Sequence, residues 1–216
     1  MKIAISGMIS SGKSTLVNHL ASHFKKIAPS DSLKEFKEDD EVFNNLLKWH
    51  LEHIPNVTLA FETYVLDSHI SELEIKEANL KGKYEQYYIF LDRFSVEHII
   101  FSQIAFEPNS RQWKAYQKIA NSLINANNIP DFVIFLDLDF QTFKKRIFAR
   151  NREAEIANWE TNEAYYKKLH SNYKDNFISL CNQYQVRYEI IDTNELNEEE
   201  VLKKAIALID AFELKK

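Results

Sequence analysis

The feature that most constrains this chain is the stretch GMISSGKST, residues 7–15, which directly follows the strand-like run KIAIS. The chain has 216 residues but only three glycines, and two of them, Gly7 and Gly12, lie in this stretch. Their spacing fits Gly-x₄-Gly-Lys-Ser, a loop in which bare backbone N–H groups wrap around a phosphate. A strand before the motif and an amphipathic helix after it are the context that the motif requires, and they favour an α/β fold.

Each polar residue of this loop has a chemical reason. The Lys13 ammonium reaches the β- and γ-phosphates of a nucleotide, and the Ser14 hydroxyl binds Mg²⁺. The helix that begins here directs its positive N-terminal end toward the anion. We therefore expect ATP, or another nucleoside triphosphate, with Mg²⁺ as cofactors. The predicted donor-binding residues are Gly7, Met8, Ile9, Ser10, Ser11, Gly12, Lys13, Ser14 and Thr15.

The rest of the chain alternates strands with helices. Alternating polar and apolar residues predict a short strand over residues 2–6. Further strands are predicted over residues 86–91, 131–136 and 187–191, while residues 25–40 are charged and irregular. Helical spacing of apolar residues predicts helices over residues 13–24, 40–53, 57–80, 94–106, 110–126, 140–149, 161–184 and 197–212. Short, continuous apolar strands separated by helices are typical of a parallel sheet covered on both faces. Functional residues should then follow the strands, at their carboxyl ends.

Composition excludes several classes of protein. The net charge of −5, with no long basic stretch, argues against a nucleic-acid surface. The one cysteine, Cys181, excludes an intrachain disulfide. Neither a leader-like apolar region nor an apolar run of 18 residues is present, so we expect no membrane partner and a cytoplasmic enzyme of one domain, residues 1–216.

A carboxylate and an arginine, Asp92 and Arg93, follow the strand predicted at residues 86–91. At the carboxyl end of a neighbouring strand, Asp92 is placed to hold Mg²⁺ beside the phosphates. Arg93 can bridge the acceptor and the transferring phosphoryl group. Asp92 and Ser14 are therefore the predicted metal ligands, and Arg93 is a predicted catalytic residue.

Three arginines, Arg146, Arg150 and Arg152, lie within seven residues. Arg146 and Arg150 are four residues apart and share one helix face. A mobile arginine-rich segment can close over the phosphates, stabilise charge in the transition state and exclude water. We predict a lid over about residues 146–160, in which the three arginines are catalytic and Arg150 also binds the donor nucleotide.

Together these motifs resemble the deoxyribonucleoside kinases. The segment DRFSVEH at residues 92–98, the lid pattern R-x-x-x-R-x-R-x-x-E and the later Y-x-x-L-H are similar to motifs of that family. The resemblance implies a P-loop kinase-type three-layer α/β/α sandwich with a five-stranded parallel sheet, a nucleoside as the second substrate, and a homodimer. Ser10 and Asn151 stand where the family often has glycine, and Phe94 stands where it has a small hydroxyl residue.

The resemblance also implies residues of the acceptor side. Glu35 matches the carboxylate that activates the nucleoside 5′-hydroxyl, although the proline that commonly follows it is missing. Glu62 and His69 replace a base-reading glutamine and an arginine seven residues later, and His98 is a third pocket position. Glu155 matches a lid glutamate that binds the sugar 3′-hydroxyl. With Arg93, these residues form the predicted substrate site.

An ionised glutamate only accepts hydrogen bonds, whereas glutamine also donates them. Glu62 therefore favours a base edge with adjacent donors, such as that of guanine, and we expect purine nucleosides to be preferred for phosphorylation in nucleotide salvage. Two alternatives stay open from the sequence. One is a nucleoside monophosphate kinase similar to thymidylate kinase, toward which Phe94 points. The other is a P-loop protein that binds nucleotides without catalysis.

Overall fold

A computed structural model describes residues 1–34, 40–156 and 159–215, except the side chains of residues 153 and 154. Five strands form one parallel sheet in the order β2-β3-β1-β4-β5. The strands are β1 (Lys2–Gly7), β2 (Ser30–Leu33), β3 (Tyr88–Asp92), β4 (Phe132–Asp137) and β5 (Tyr188–Asp192). The predicted five-stranded parallel sheet is therefore confirmed.

Helices connect the strands and cover both faces of the sheet. They are α1 (Lys13–Phe24), α2 (Glu41–Leu51), α3 (Val57–Lys81), α4 (His98–Ala105), α5 (Arg111–Leu123), α6 (Phe140–Arg150), α7 (Glu153–Ile156), α8 (Trp159–Gln183) and α9 (Glu198–Glu213). A 3₁₀ turn (Ser95–Glu97) precedes α4. Among the described residues, no helix is long and apolar enough to cross a membrane.

Alternation along the strands divides the core into two layers. Ile3 and Ile5 of β1 pack with residues of α1 and α9, whereas Ala4 between them faces the core formed with α3, α4, α5 and α8. Because successive side chains of a strand point to opposite faces, a strand covered by helices on both sides needs apolar residues at every position. This pattern produces the predicted three-layer α/β/α sandwich.

Two parts of the secondary structure differ from the sequence prediction. Residues 30–33, which we expected to be irregular, form β2, a polar strand at the sheet edge in which only Leu33 is buried. Its sequence, SDSL, lacks the apolar run that predicts a buried strand, and pairing with β3 supplies the missing signal. The helix expected over residues 94–106 begins instead with the 3₁₀ turn and becomes α-helical at His98.

Polar residues lie together at the end of the sheet that is formed by the carboxyl ends of the strands. The phosphate-loop motif follows β1, and β3, β4 and β5 end in Asp92, Asp137 and Asp192. All pairings of strands are parallel, so these ends lie together. In open parallel sheets this end is where ligands bind.

Candidate active site

The backbone between β1 and α1 has the conformation that a phosphate loop requires. Gly7 has φ 138°, and a Cβ built there would lie 2.5 Å from the carbonyl oxygen of Leu136, so only glycine fits. Gly12 has φ 97°, with no atom within 4 Å of a Cβ, which leaves open space beside it. Ser10 has φ 61°, a left-handed conformation, which explains why glycine is common at this position in similar loops.

Lys13 and Ser14 connect this loop to its surroundings. The Lys13 ammonium is buried and donates a hydrogen bond of 3.0 Å to the carbonyl of Met8. The Ser14 hydroxyl donates to Oδ2 of Asp92, across from the end of β1 to the end of β3. The two residues that the sequence predicts as metal ligands are therefore in direct contact.

The donor set around Asp92 fits Mg²⁺. Its Oδ1 is buried and has no hydrogen-bond partner among the described residues. Mg²⁺ in kinases is held by one or two protein oxygens together with substrate phosphates and water. A carboxylate oxygen without a partner, beside a serine hydroxyl and a phosphate loop, matches that requirement. No group of three histidine, cysteine or acidic side chains able to hold a metal occurs in the described part of the chain.

Arg93 is almost completely buried and has a left-handed backbone, with φ 70°. Its Nη1 donates to the carbonyl of Gly7 at 2.8 Å, to Glu97 at 2.5 Å and to the hydroxyl of Tyr173. The guanidinium lies over the ring of Phe101, 4.7 Å from its centroid. Arg93 thus belongs to the interior of the site and connects β3 to the phosphate loop.

The predicted base pocket lies between α3 and α4. Glu62 is buried on α3 and accepts a hydrogen bond of 2.8 Å from the hydroxyl of Ser102 on α4. His98, at the start of α4, is 2.9 Å from His69 between ring nitrogens. His50 of α2 stacks on Phe61, with ring centroids 5.0 Å apart.

The two histidines that line this pocket are shifted toward the neutral form. Burial lowers the pKa of His98 well below its usual value, and His69 and Arg93 lower it further. Burial, with a smaller contribution from His53, lowers the pKa of His50 to about 4. Both imidazoles are therefore neutral near pH 7 and offer one donor and one acceptor each, rather than a positive charge.

Two of the three arginines of the predicted lid converge on one carboxylate. Arg150 and Arg152 both form ion pairs with the buried Glu155, and the Arg152–Glu155 distance is 3.1 Å. Asn151, between the arginines, ends α6 in a left-handed conformation with φ 56°. Asparagine tolerates this conformation well, which explains how it replaces the glycine found in similar lids.

Arg146 lies apart from the other two arginines. Its guanidinium donates to the carbonyl of Thr193 at 2.8 Å and to that of Ser11 at 3.4 Å. It lines a separate cavity with residues of the phosphate loop, the end of β4 and the start of α9. Arg146 therefore joins the phosphate loop to the segment after β5, on the donor side of the site.

One cavity brings together most of the residues predicted for the site. These are Ile9, Lys13, Ser14, Glu62, Asp92, Arg93, His98, Arg150, Arg152 and Glu155. His69 lies behind His98 and lines a small neighbouring cavity with Asp40 and Glu72. Glu35 lies outside the described residues.

Sequence reasoning assigned no role to several polar residues of this site, His50 and Tyr166 among them. Glu97 and Tyr173 contact Arg93, and Tyr165 lines the cavity. The contact of Glu97 with Arg93 could have been predicted, because a glutamate four residues from an arginine on a helical segment commonly forms an ion pair with it. Nothing in the sequence near Tyr173 connects it to a residue 80 positions away.

Comparisons with known proteins agree with this geometry. Residues 3–212 match the family model for deoxynucleoside kinase. The uncharacterized protein MG268 of Mycoplasma genitalium is 29% identical over 192 residues, which cover 88% of this chain and 82% of the relative. A deoxyguanosine kinase of Bacillus subtilis is 24% identical over 177 residues, 82% of this chain and 74% of the relative.

The fold also has a close counterpart among solved structures. A deoxyadenosine kinase from M. mycoides, solved with dCMP and dCDP, superposes with a TM-score of 0.74 at 24% identity and covers 98% of this chain and 100% of that one. The sheet and the loop that follows β1 therefore define a P-loop kinase-type α/β fold. Because the family model spans nearly the whole length, the chain belongs to the deoxynucleoside kinase family. It is a phosphotransferase that acts on nucleosides.

Proposed function

We propose that this protein transfers the γ-phosphoryl group of ATP to the 5′-hydroxyl of a deoxyribonucleoside, with a preference for purines, in nucleotide salvage. The observation that carries the proposal is the continuity of one cavity. It extends from Lys13 and Ser14 of the phosphate loop, past Asp92 and Arg93, to Glu62 and His98 between α3 and α4. A donor phosphate at one end and a nucleoside at the other would meet beside Arg93.

On the donor side, backbone N–H groups of residues 7–15 and the Lys13 ammonium would bind the phosphates of ATP. Ser14 and Asp92 would hold Mg²⁺, which neutralises charge on the phosphates when it is bound. Arg146 would support the donor side, because it contacts the loop at Ser11.

On the acceptor side, Glu35 would accept the proton of the 5′-hydroxyl. β2 ends at Leu33, which pairs with Leu91 of β3. The chain after β2 therefore starts from the same end of the sheet as Asp92. Arg93, Arg150 and Arg152 would stabilise charge on the transferring phosphoryl group. Glu155 holds both lid arginines and would offer its carboxylate to the sugar 3′-hydroxyl.

Purine preference follows from the chemistry of Glu62. A carboxylate accepts hydrogen bonds and donates none when ionised, and one of its oxygens already accepts from Ser102. Adjacent N1–H and N2–H₂ donors of guanine suit such a group, whereas thymine offers a single N3–H donor between two carbonyl acceptors that an ionised carboxylate would repel. A site built to accept hydrogen bonds discriminates strongly against a ligand that lacks the donors.

The test is phosphoryl transfer from ATP and Mg²⁺ to a panel of the four deoxyribonucleosides, the corresponding ribonucleosides and dTMP. The proposal predicts label on the 5′-hydroxyl of deoxyribonucleosides, with deoxyguanosine or deoxyadenosine ranked first. Transfer to dTMP alone would favour the thymidylate kinase alternative. ATP binding without transfer to any acceptor would favour a non-catalytic nucleotide-binding protein.

A further inference from the structure

We infer that Glu97 is a positioning residue, which holds the Arg93 guanidinium in place and fastens the first residue of the phosphate loop to it. The inference rests on the proposed function, in which Arg93 acts on the transferring phosphoryl group. Glu97 lies in the 3₁₀ turn after β3, and its side chain is completely buried. A buried carboxylate needs donors around it, and the donors that surround Glu97 belong to the parts of the site that must be aligned.

Three donors converge on Oε1 of Glu97. Arg93 Nη1 lies at 2.5 Å, the backbone N–H of Gly7 lies at a long 3.4 Å, and the Tyr173 hydroxyl also donates to it. Arg93 in turn donates to the carbonyl of Gly7 at 2.8 Å. The ion pair therefore contacts both the N–H and the C=O of Gly7, so that the arginine and the phosphate loop share one anchor.

The backbone of Arg93 needs such an anchor. A non-glycine residue with φ 70° carries backbone strain, and such a conformation persists where surrounding contacts fix it. The Arg93 N–H donates to the carbonyl of Ile5 at 3.0 Å, which fixes the backbone, and Glu97 fixes the other end of the side chain. The guanidinium group is planar. Because Nη1 is held by Glu97 and the group packs against Phe101, the direction of its remaining N–H groups is also set.

Glu97 also compensates the buried positive charge of Arg93. The Arg93 and Glu97 side chains are 2% and 0% exposed, and the rings of Phe101 and Tyr173 flank the guanidinium. A buried arginine without a carboxylate would be strongly disfavoured and would shift toward water. With Glu97 present, Arg93 stays in the interior, where its interaction with a developing negative charge is strong.

A double-mutant cycle between Glu97→Gln and Arg93→Lys tests the inference. Glutamine keeps the shape of Glu97 and one acceptor oxygen but removes the charge. We expect kcat per folded molecule to fall about 10²-fold while KM for the nucleoside stays within about threefold, because alignment matters in the transition state. In the Arg93→Lys background, Glu97→Gln should cause little further loss. Tyr173→Phe should also lower kcat with little change in KM, but by a smaller factor.

The pair Tyr88 and Glu213 provides a matched control. The Tyr88 hydroxyl donates to Glu213 at 2.7 Å on the opposite face of the sheet, so Tyr88→Phe and Glu213→Gln remove similar contacts without touching the site. Melting temperatures are measured for every variant. If Glu97→Gln lowers only the melting temperature, or if its effect on kcat adds fully to that of Arg93→Lys, the inference is wrong.

The same measurements separate two kinds of failure. A slow Arg93→Lys variant beside a Glu97→Gln variant with normal kcat overturns the role of Glu97 and leaves the proposed function intact. An Arg93→Lys variant with normal kcat removes Arg93 from the reaction, which overturns both the role proposed for Arg93 and the inference built on it.

Discussion

The donor side and the acceptor side of this site are built in different ways. The donor side is mostly backbone within residues 7–15, whose shape is set by glycines at φ 138° and 97°. The acceptor side is built from side chains of α2, α3, α4 and the lid, which are far apart in sequence. Phosphate is the same in every nucleotide and suits a fixed backbone cradle, whereas bases differ and are read by exchangeable side chains.

This difference explains where the chain departs from its family. In the base pocket Glu62, His69 and His98 all replace residues of the family pattern. In the phosphate loop only Ser10 departs from that pattern, and Lys13 and Ser14 keep the motif. We therefore expect changes on the donor side to reduce transfer for every substrate. Changes on the acceptor side should alter the ranking of substrates.

The largest effect is expected for Lys13→Ala. This substitution removes a buried positive charge that binds the β- and γ-phosphates in the proposed function, so transfer should fall by about 10³-fold or more for every nucleoside. Steady-state kinetics with the full nucleoside panel measures it, with Lys25→Ala at the exposed end of α1 as the control. A normal rate, or a loss confined to one base, would break the division between the two sides.

Asp92→Asn should have the next largest effect. Loss of a charged ligand beside Ser14 should lower turnover roughly 10- to 100-fold at fixed Mg²⁺, and added Mg²⁺ should restore part of it. Asp137→Asn is the matched control, because Asp137 ends β4, which lies on the other side of β1 from β3, and it pairs with Lys174. If the two variants respond alike to Mg²⁺, Asp92 is not a metal ligand.

Gly7→Ala tests the backbone cradle itself. A Cβ at φ 138° and 2.5 Å from the Leu136 carbonyl should lower the free energy of unfolding by about 1–3 kcal/mol and weaken ATP binding. Gly82→Ala meets no atom within 4 Å in an αR conformation and should be neutral or stabilise the protein by about 0.4–1 kcal/mol. Denaturant titrations of both variants measure the free energy of unfolding. Equal stability of the two variants would contradict the steric conflict at Gly7.

His50 gives the smallest expected effect, on the acceptor side. Its pKa is about 4 in the folded protein against 6.5 ordinarily, so below pH 6.5 the unfolded chain takes up a proton that the folded chain does not. Stability should therefore fall as the pH drops from about 6.5 toward 4. His50→Asn should reduce that slope by at most about 1.4 kcal/mol per pH unit. Thermal unfolding across this range measures it, and the same slope in His50→Asn and in the control His19→Asn, at an exposed position of α1, would contradict burial as the cause.

The two sides also differ in how far the sequence predicts them. The phosphate loop is one contiguous motif, and the residues after buried strands could be located from periodicity, so Lys13, Ser14 and Asp92 were all predicted and lie in one cavity. The edge strand β2 was missed because SDSL is polar and its pairing with β3 is tertiary. The contact of Arg146 with Thr193, 47 residues away, has no signal in the sequence either.

The base pocket could be predicted only as a set of positions. Helical spacing put Glu62 and His69 on one face of α3, but only packing shows that His98 lies between His69 and the cavity. The network of Arg93, Glu97 and Tyr173 likewise depends on helix α8 folding back over the end of β3. Local sequence predicts elements and strand ends, whereas contacts between distant helices decide which side chains meet.

Glu62→Gln tests the central claim most directly, with Glu74→Gln on the exposed side of α3 as the control. The measurement is kcat/KM for the four deoxyribonucleosides together with the Kd for ATP. We predict that the preference for deoxyguanosine over thymidine falls by about tenfold or more while the Kd for ATP stays within about twofold. An unchanged ranking of bases, or a weakened affinity for ATP, would contradict the account.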